Sequence, residues 1–147
     1  MDWEEVVSHN SVCFEKVDYR RLNAKQKELF NFQKIAARLA DYGYNCIKLA
    51  DDWQGADFLA YHIDGTTTLK VQLKSRLTID QKYGKDIWIA FPYKADWYLI
   101  QHDDLVHKIQ EHADWLKSVS WKDGKKYSST SVNEGLLESL AENRLEP

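Results

Sequence analysis

The clearest pattern of apolar and polar positions lies in the first third of the chain and predicts an α-helix. From Ala24 to about Tyr42, apolar side chains recur at intervals of three and four residues, until Gly43 ends the pattern. Asn23, followed three positions later by Gln26, forms a capping-box sequence of the kind that opens a helix. The sequence therefore predicts a helix from Ala24 to about Tyr42.

Shorter apolar runs after this helix predict β-strands. In chain order they cover residues 44–49, 57–63, 66–74, 87–91 and 97–100. Asp64-Gly65 separates the second run from the third and predicts a two-residue hairpin turn, because both residue types tolerate positive φ. We expect a loop over 51–55 and a turn containing Pro92.

Two more helices complete the predicted order of elements. One covers about 103–115, and a capping-box sequence over 131–134 opens a short last helix. This order predicts an α/β fold in which a central mixed sheet of about five strands, including a three-stranded meander, is flanked by helices. With no repeat or Pro/Ser-rich linker, we expect one domain over 1–147, with its core at about 24–110 and a C-terminal helical extension over about 111–147.

Charge and composition narrow the class of protein. The net charge of −3 argues against coating of nucleic acid by bulk electrostatics. Residues 70–85 nevertheless hold five basic side chains against one acidic one, which favours either a local basic surface or a solvated loop. The acidic first residues do not resemble a signal peptide, and no run is long enough to span a membrane, so we expect a cytoplasmic protein with no membrane partner.

The predicted hairpin would bring together side chains that could form a catalytic site. If it folds symmetrically about Asp64-Gly65, residues whose numbers add to 129 face each other, so Asp57 lies opposite Gln72. Lys74 then points to the same face one diagonal step away. A carboxylate, an amide and an ammonium group would converge there. The alternative is a solvated face on which Asp57 and Lys74 form a modest ion pair.

Glu28 is a fourth candidate, because it lies in the middle of the apolar stripe of the predicted helix. Burial of an unpaired charge is costly. We therefore expect its carboxylate either to reach solvent near the start of the helix or to meet a cation in the interior.

The runs Gly55-Ala56-Asp57-Phe58-Leu59 and Leu69-Lys70-Val71-Gln72-Leu73-Lys74 resemble the signature of the PD-(D/E)XK, or restriction-endonuclease-like, nuclease superfamily. The resemblance implies a restriction-endonuclease-like core, with Asp57 as principal metal ligand and Lys74 orienting or activating the attacking water. Glu28 would correspond to the acid that some members carry on the first core helix. Ala56 replaces the name-giving proline, which supplies no ligand.

Gln72 departs from the superfamily pattern, because most members have Asp or Glu there. Its carbonyl oxygen can coordinate Mg²⁺ but brings no negative charge, so the cation would be held more weakly unless Glu28 or Asp52 contributes.

The sequence leaves two functions open. The first is a Mg²⁺- or Mn²⁺-dependent endonuclease that acts on nucleic acid, with DNA as the expected substrate, by attack of an activated water on a phosphodiester. Its expected metal ligands are Asp57, Gln72 and Glu28. The second is a non-catalytic module of the same fold that binds nucleic acid or a partner protein. The resemblance also implies a homodimer. Trp53 would either stack on a splayed base or serve as a core or lid aromatic.

Overall fold

The computed structural model describes residues 13–147 and contains one large mixed sheet, one small sheet and several helices. The strands are β1 (Tyr44–Trp53), β2 (Ala56–His62), β3 (Thr68–Leu73), β4 (Leu77–Asp80), β5 (Ile87–Tyr93), β6 (Asp96–Gln101), β7 (Lys126–Ser129) and β8 (Arg144–Leu145). The α-helices are α1 (Ala24–Ala40), α2 (His102–His112), α3 (Val119–Lys122) and α4 (Glu134–Ser139). Short 3-10 helices cover Tyr19–Arg21, Trp115–Lys117 and Ala141–Asn143.

The large sheet has six strands in the order β1-β2-β3-β5-β6-β8. Antiparallel pairing joins all neighbours except β3 and β5, which run parallel. The predicted α/β class, with a mixed sheet flanked by helices, is therefore confirmed, with one strand more than expected. β4 and β7 form the separate two-stranded sheet.

Helix α1 begins at the predicted capping box. The Asn23 side chain accepts a hydrogen bond from the Gln26 N–H at 2.8 Å, and the Gln26 side chain accepts one from the Asn23 N–H at 2.9 Å. The helix ends at Ala40, two residues before the predicted end, because the next N–H groups bond back in tighter turns. Gly43 then adopts φ +84° and turns the chain into β1.

The β2–β3 hairpin has the predicted register but not the predicted turn. Its pairs, Phe58 with Val71 through Tyr61 with Thr68, all add to 129. The loop is longer than two residues: it is closed by a hydrogen bond from the His62 N–H to the Thr67 carbonyl at 2.8 Å, and only Gly65 has positive φ. The longer loop keeps the same centre, so the register is unchanged.

Two other turns also differ from prediction. β1 continues through most of the expected loop, and only Gln54 and Gly55 turn the chain, with φ of 52° and 86°. Pro92 lies inside β5 rather than in a turn. The strand tolerates it because pairing of β5 with β3 stops at Ala90, so no hydrogen bond to β3 is lost.

The C-terminal extension is helical only in part. It also contributes β7, which lies between the short helices, and β8, which follows them and joins the large sheet beside β6. The last helix begins at Glu134 and is capped by Asn133 rather than by Ser131, the first residue of the predicted capping box. The Asn133 side chain accepts a hydrogen bond from the Leu136 N–H at 2.8 Å, while Ser131 lies before the helix.

Two apolar clusters cover the two faces of the large sheet. Ile35 and Leu39 of α1 pack against Phe58 and Val71 on one face. The other face packs against α2, α4 and β4, through Ile89 and its neighbours. Helices α1, α2 and α4 thus bury apolar side chains against the sheet. Among the described residues, no helix has the length and apolar character needed to cross a membrane.

Candidate functional site

Asp57 lies near the start of β2, directly after the Gln54-Gly55 turn. Its Oδ2 atom accepts a hydrogen bond from the Leu73 N–H at 2.9 Å, which ties the beginning of β2 to the end of β3. Burial raises the pKa of this half-buried carboxyl, and the charge of Glu28 raises it further; the Leu73 hydrogen bond and Lys74 act in the opposite direction. The Asp57 carboxylate is thus held in place, and the Leu73 hydrogen bond and Lys74 offset only part of the cost of its negative charge.

Gln72 lies on β3, opposite Asp57 when the observed register is extended by one pair. Its side chain is 8% exposed, and its Oε1 atom is buried without a hydrogen-bond partner in the described part of the chain. An unsatisfied buried acceptor costs about 1–3 kcal/mol. The register therefore places Gln72, with its unused carbonyl oxygen, across from Asp57 on the same face of the sheet.

Lys74 follows the last residue of β3, and its backbone N–H donates to the Ala90 carbonyl at 2.9 Å. Its Nζ atom lies 5.4 Å from the ring centroid of Tyr83, at cation–π distance. Burial lowers the pKa of Lys74, whereas the Asp57 charge raises it. Each charge acts on the pKa of the other, as expected if Asp57 and Lys74 share a site.

Glu28 combines the two predicted outcomes, because it pairs with a cation but does so at the surface rather than in the interior. Its Oε1 atom lies 2.8 Å from Nζ of Lys48 on β1, and its side chain remains 54% exposed. This hydrogen bond lowers the pKa of Glu28. Together with Leu73 and Lys74, Glu28 lines a pocket of about 280 Å³. It therefore lies at the rim of the site, engaged by Lys48.

The superfamily resemblance implies Mg²⁺, which binds oxygen ligands, and the site offers oxygen atoms from Asp57 and Gln72. No group of three or more His, Cys, Asp or Glu side chains positioned to hold a metal occurs in residues 13–147. Mg²⁺, however, usually keeps several waters and binds through one or two carboxylates together with substrate phosphates. The Asp57 carboxylate and the orphaned Gln72 carbonyl fit that requirement.

Tyr83 is a component of the site that the sequence did not reveal. It lies between β4 and β5, is 6% exposed, and has the ammonium groups of both Lys74 and Lys82 near its ring, the latter at 5.5 Å. The available signal was weak: a single aromatic residue in a polar connection, with Lys82 beside it. Trp53, a candidate for base stacking, ends β1 half-exposed, with Nζ of Lys70 5.9 Å from its ring.

Comparison with known proteins gives little further information. No protein-family profile and no curated protein sequence matches the chain. Among solved structures, the chain is similar to the bacterial homing endonuclease I-Ssp6803I, with 14% sequence identity over 76% of this chain and 78% of that one and a TM-score of 0.46. A similarity this distant carries no argument about family or function.

Proposed function

We propose that this protein is a metal-dependent phosphodiesterase that cuts nucleic acid, with DNA as the substrate, as the PD-(D/E)XK resemblance implies. The observation that carries the proposal is the unused carbonyl of Gln72, which lies in register with a half-buried carboxylate beside a cation. A structural role alone would leave this buried acceptor uncompensated. A divalent cation would satisfy it.

In the proposed site, Asp57 and Gln72 would hold Mg²⁺ or Mn²⁺, and Glu28 would contribute a third oxygen if it left Lys48. When bound, such a cation polarises a phosphoryl oxygen and lowers the pKa of a bound water. The Leu73 N–H keeps the Asp57 carboxylate oriented. Lys74 offsets the negative charge that develops on the phosphate, and its partial burial strengthens this interaction.

The substrate would approach over a basic surface near Lys74. The charges of Lys82 and Lys126 both lower the pKa of Lys74, so they lie near enough to act on the same ligand. β4 and β7 bring Lys126 into this region, because Asp80 pairs with Lys126. Clustered cations of this kind attract the phosphate backbone despite the negative net charge of the chain.

The second candidate is a non-catalytic module that binds nucleic acid or a partner protein. It is favoured by the engagement of two of the three candidate acids, since Glu28 pairs with Lys48 and Oδ1 of Asp52 accepts a hydrogen bond from the Gly55 N–H at 2.8 Å. In this case the same surface would bind its ligand without cutting it.

A cleavage assay distinguishes the two candidates. The full chain is incubated with supercoiled plasmid and with single-stranded DNA in Mg²⁺, in Mn²⁺ and in EDTA, alongside Asp57→Ala and Lys74→Ala. The matched controls are Asp114→Ala and Lys117→Ala, an exposed pair away from the site. We expect metal-dependent cleavage that falls about 100-fold or more in each site variant and stays unchanged in the controls.

Cleavage that persists in both site variants would refute the assigned residues. Absence of cleavage, together with DNA binding that weakens in Lys74→Ala, would support the non-catalytic module instead. A homodimer is a further part of the proposal, and light scattering of the protein during gel filtration tests it.

A further inference from the structure

A second pocket, of about 540 Å³, lies beside Tyr83, where the chain leaves β4 and passes α2 and α3. Its lining includes Gln81, Tyr83, His102, Val106, Gln110 and Trp121. Apart from Tyr83, none of these residues has a role in the proposed cleavage chemistry. Tyr83 is shared, since its ring lines this pocket and also has Nζ of Lys74 at 5.4 Å.

His102 supplies a buried donor on the wall of this pocket. It is 3% exposed, and its Nε2 atom accepts a hydrogen bond from the Asp80 N–H at 3.1 Å. The proton of the neutral ring must therefore be on Nδ1. That atom has no hydrogen-bond partner among residues 13–147, and the nearest carboxylate oxygen, on Asp103, is 3.9 Å away.

Tyr83 supplies a second polar group without a partner. Its hydroxyl is buried and makes no hydrogen bond to the described residues. Its ring packs edge-on against His102, with 5.3 Å between ring centroids. Two adjacent buried donors without acceptors are unusual in a native structure, and each calls for an explanation.

Trp121 gives the pocket an aromatic side, and its backbone is fixed. Nε2 of Gln81 donates to the Trp121 carbonyl at 2.8 Å, and the Trp121 N–H donates to the Ser118 hydroxyl at 3.1 Å. The amide of Gln110 lies on the exposed helix surface and lines the same pocket. Asp103, also in the lining, disfavours an anionic ligand.

These features match a planar, neutral ring that carries hydrogen-bond acceptors. We infer that this pocket receives a single nucleobase that has left the stack of a nucleic acid strand. The base would stack on Trp121 and accept hydrogen bonds from Tyr83 and His102. The inference rests on the proposed action on nucleic acid, and it assigns the pocket to a nucleotide near the phosphate at Lys74.

The test uses free nucleosides, which carry no phosphate, and protein in EDTA, so that neither cleavage nor metal binding contributes. Thymidine, deoxyguanosine and deoxyadenosine are titrated into the full chain while the indole N–H signal of Trp121 is followed by NMR. We expect a saturable shift of this signal with each of the three nucleosides, because every one of these bases is a planar ring that carries hydrogen-bond acceptors. Asp57→Asn should show the same shifts, because the pocket does not depend on the catalytic carboxylate.

A second measurement uses a single-stranded oligonucleotide. Trp121→Ala should weaken its binding about tenfold, a typical effect of losing one base-stacking aromatic. Val119→Ala, on the same short helix but outside the pocket lining and 73% exposed, is the matched control and should bind normally. Unchanged Trp121 signals with all three nucleosides up to millimolar concentration would overturn the inference, even if the protein cuts DNA. Nucleoside shifts in a protein that never cuts DNA would support the pocket and refute the nuclease.

Discussion

The Oδ2 atom of Asp57 accepts a hydrogen bond from the backbone N–H of Leu73 at 2.9 Å. This contact joins the first residues of one strand to the last residue of the next, and it holds the carboxylate beside Gln72 and Lys74. The bond favours the ionised form of Asp57, but burial outweighs it and the pKa is raised overall. The protein thus maintains a carboxylate that is costly to ionise at this position.

Replacement of Asp57 by Asn should therefore stabilise the metal-free protein. Because the folded-state pKa lies above the ordinary value of 3.8, folding is favoured most when the group is protonated, and this advantage is lost as pH rises through the folded-state pKa. At pH 7 the neutral amide of the variant avoids that loss and can still accept the Leu73 hydrogen bond. Thermal unfolding should show a higher Tm than the native chain at pH 7, by about 3 °C for each kcal/mol recovered.

The difference between the two proteins should shrink as the pH falls through the raised folded-state pKa of Asp57, because the carboxyl becomes protonated there. Cleavage by Asp57→Asn should be lost at every pH. If the variant is less stable than the native chain at pH 7, the uncompensated burial of Asp57 is contradicted.

Gln72→Glu should restore the acid that the superfamily pattern places here. A second carboxylate beside Asp57 adds like-charge repulsion in a buried position, so Tm in EDTA should fall by the equivalent of about 1–3 kcal/mol. The added charge should lower the half-saturating Mg²⁺ concentration by about tenfold or more, and excess Mn²⁺ should recover the lost stability.

Gln72→Leu is the matched control, because it removes the orphaned oxygen without adding charge. It should unfold at or above the native Tm and lose its response to Mn²⁺. A native-like metal response in the Leu variant would show that the Gln72 carbonyl is not a ligand.

The hairpin register could be predicted from sequence because two signals agreed. The alternation of Leu69, Val71 and Leu73 fixes which face of β3 packs against α1, and Asp64-Gly65 fixes the centre of the loop. The loop length could not be predicted, since the Asp64 carboxylate caps the Thr66 and Thr67 N–H groups and so stabilises a longer turn with the same centre.

Tyr83 and the small sheet could not be predicted, for a different reason. β4 and β7 have four residues each, which is too few for a periodic pattern. The residues that pair between the two strands are about 50 positions apart in the chain. Tyr83 belongs to the site because its ring lies between elements that are distant in sequence, and a local sequence pattern does not reveal such a position. The ion pair of Glu28 could be predicted in part. The position of Glu28 in the apolar stripe of the helix predicts that its negative charge needs a partner, but it does not identify Lys48.

Lys48→Ala should release Glu28 for metal binding. The Lys48 hydrogen bond is the main cause of the lowered Glu28 pKa, and its loss leaves an unpaired carboxylate at the rim of the site. Calorimetric titration should show Mn²⁺ binding several-fold tighter in Lys48→Ala and several-fold weaker in Glu28→Gln. The change in stability should be small, since both side chains are partly solvated and such pairs contribute about 0–1 kcal/mol.

Lys117→Ala, which removes an exposed lysine elsewhere, controls for the change in net charge and should bind Mn²⁺ as the native chain does. Equal Mn²⁺ affinity in the native chain and both rim variants would remove Glu28 from the set of ligands and leave Asp57 and Gln72 as the proposed donors.

Tyr83 should control the alkaline limit of cleavage through Lys74. Burial lowers the pKa of Lys74, so the ammonium group, and with it activity, is lost as pH rises through a value below the ordinary 10.5. Tyr83→Ala would expose Lys74 to water, so its pKa should rise and the alkaline limb of the kcat profile should move to higher pH. The lost cation–π contact should also lower kcat at neutral pH, by about 2- to 30-fold.

Tyr83→Phe keeps the ring and loses only the hydroxyl, which makes no hydrogen bond to the described residues. Its kcat at saturating DNA should remain within about twofold of the native value, with an unchanged alkaline limb. A simple loss of folding in Tyr83→Ala would lower activity at all pH values without moving the limb, and circular dichroism would detect it. If a folded Tyr83→Ala keeps the native pH profile, the ring does not position or desolvate Lys74, and the pKa of this lysine is set by other neighbours.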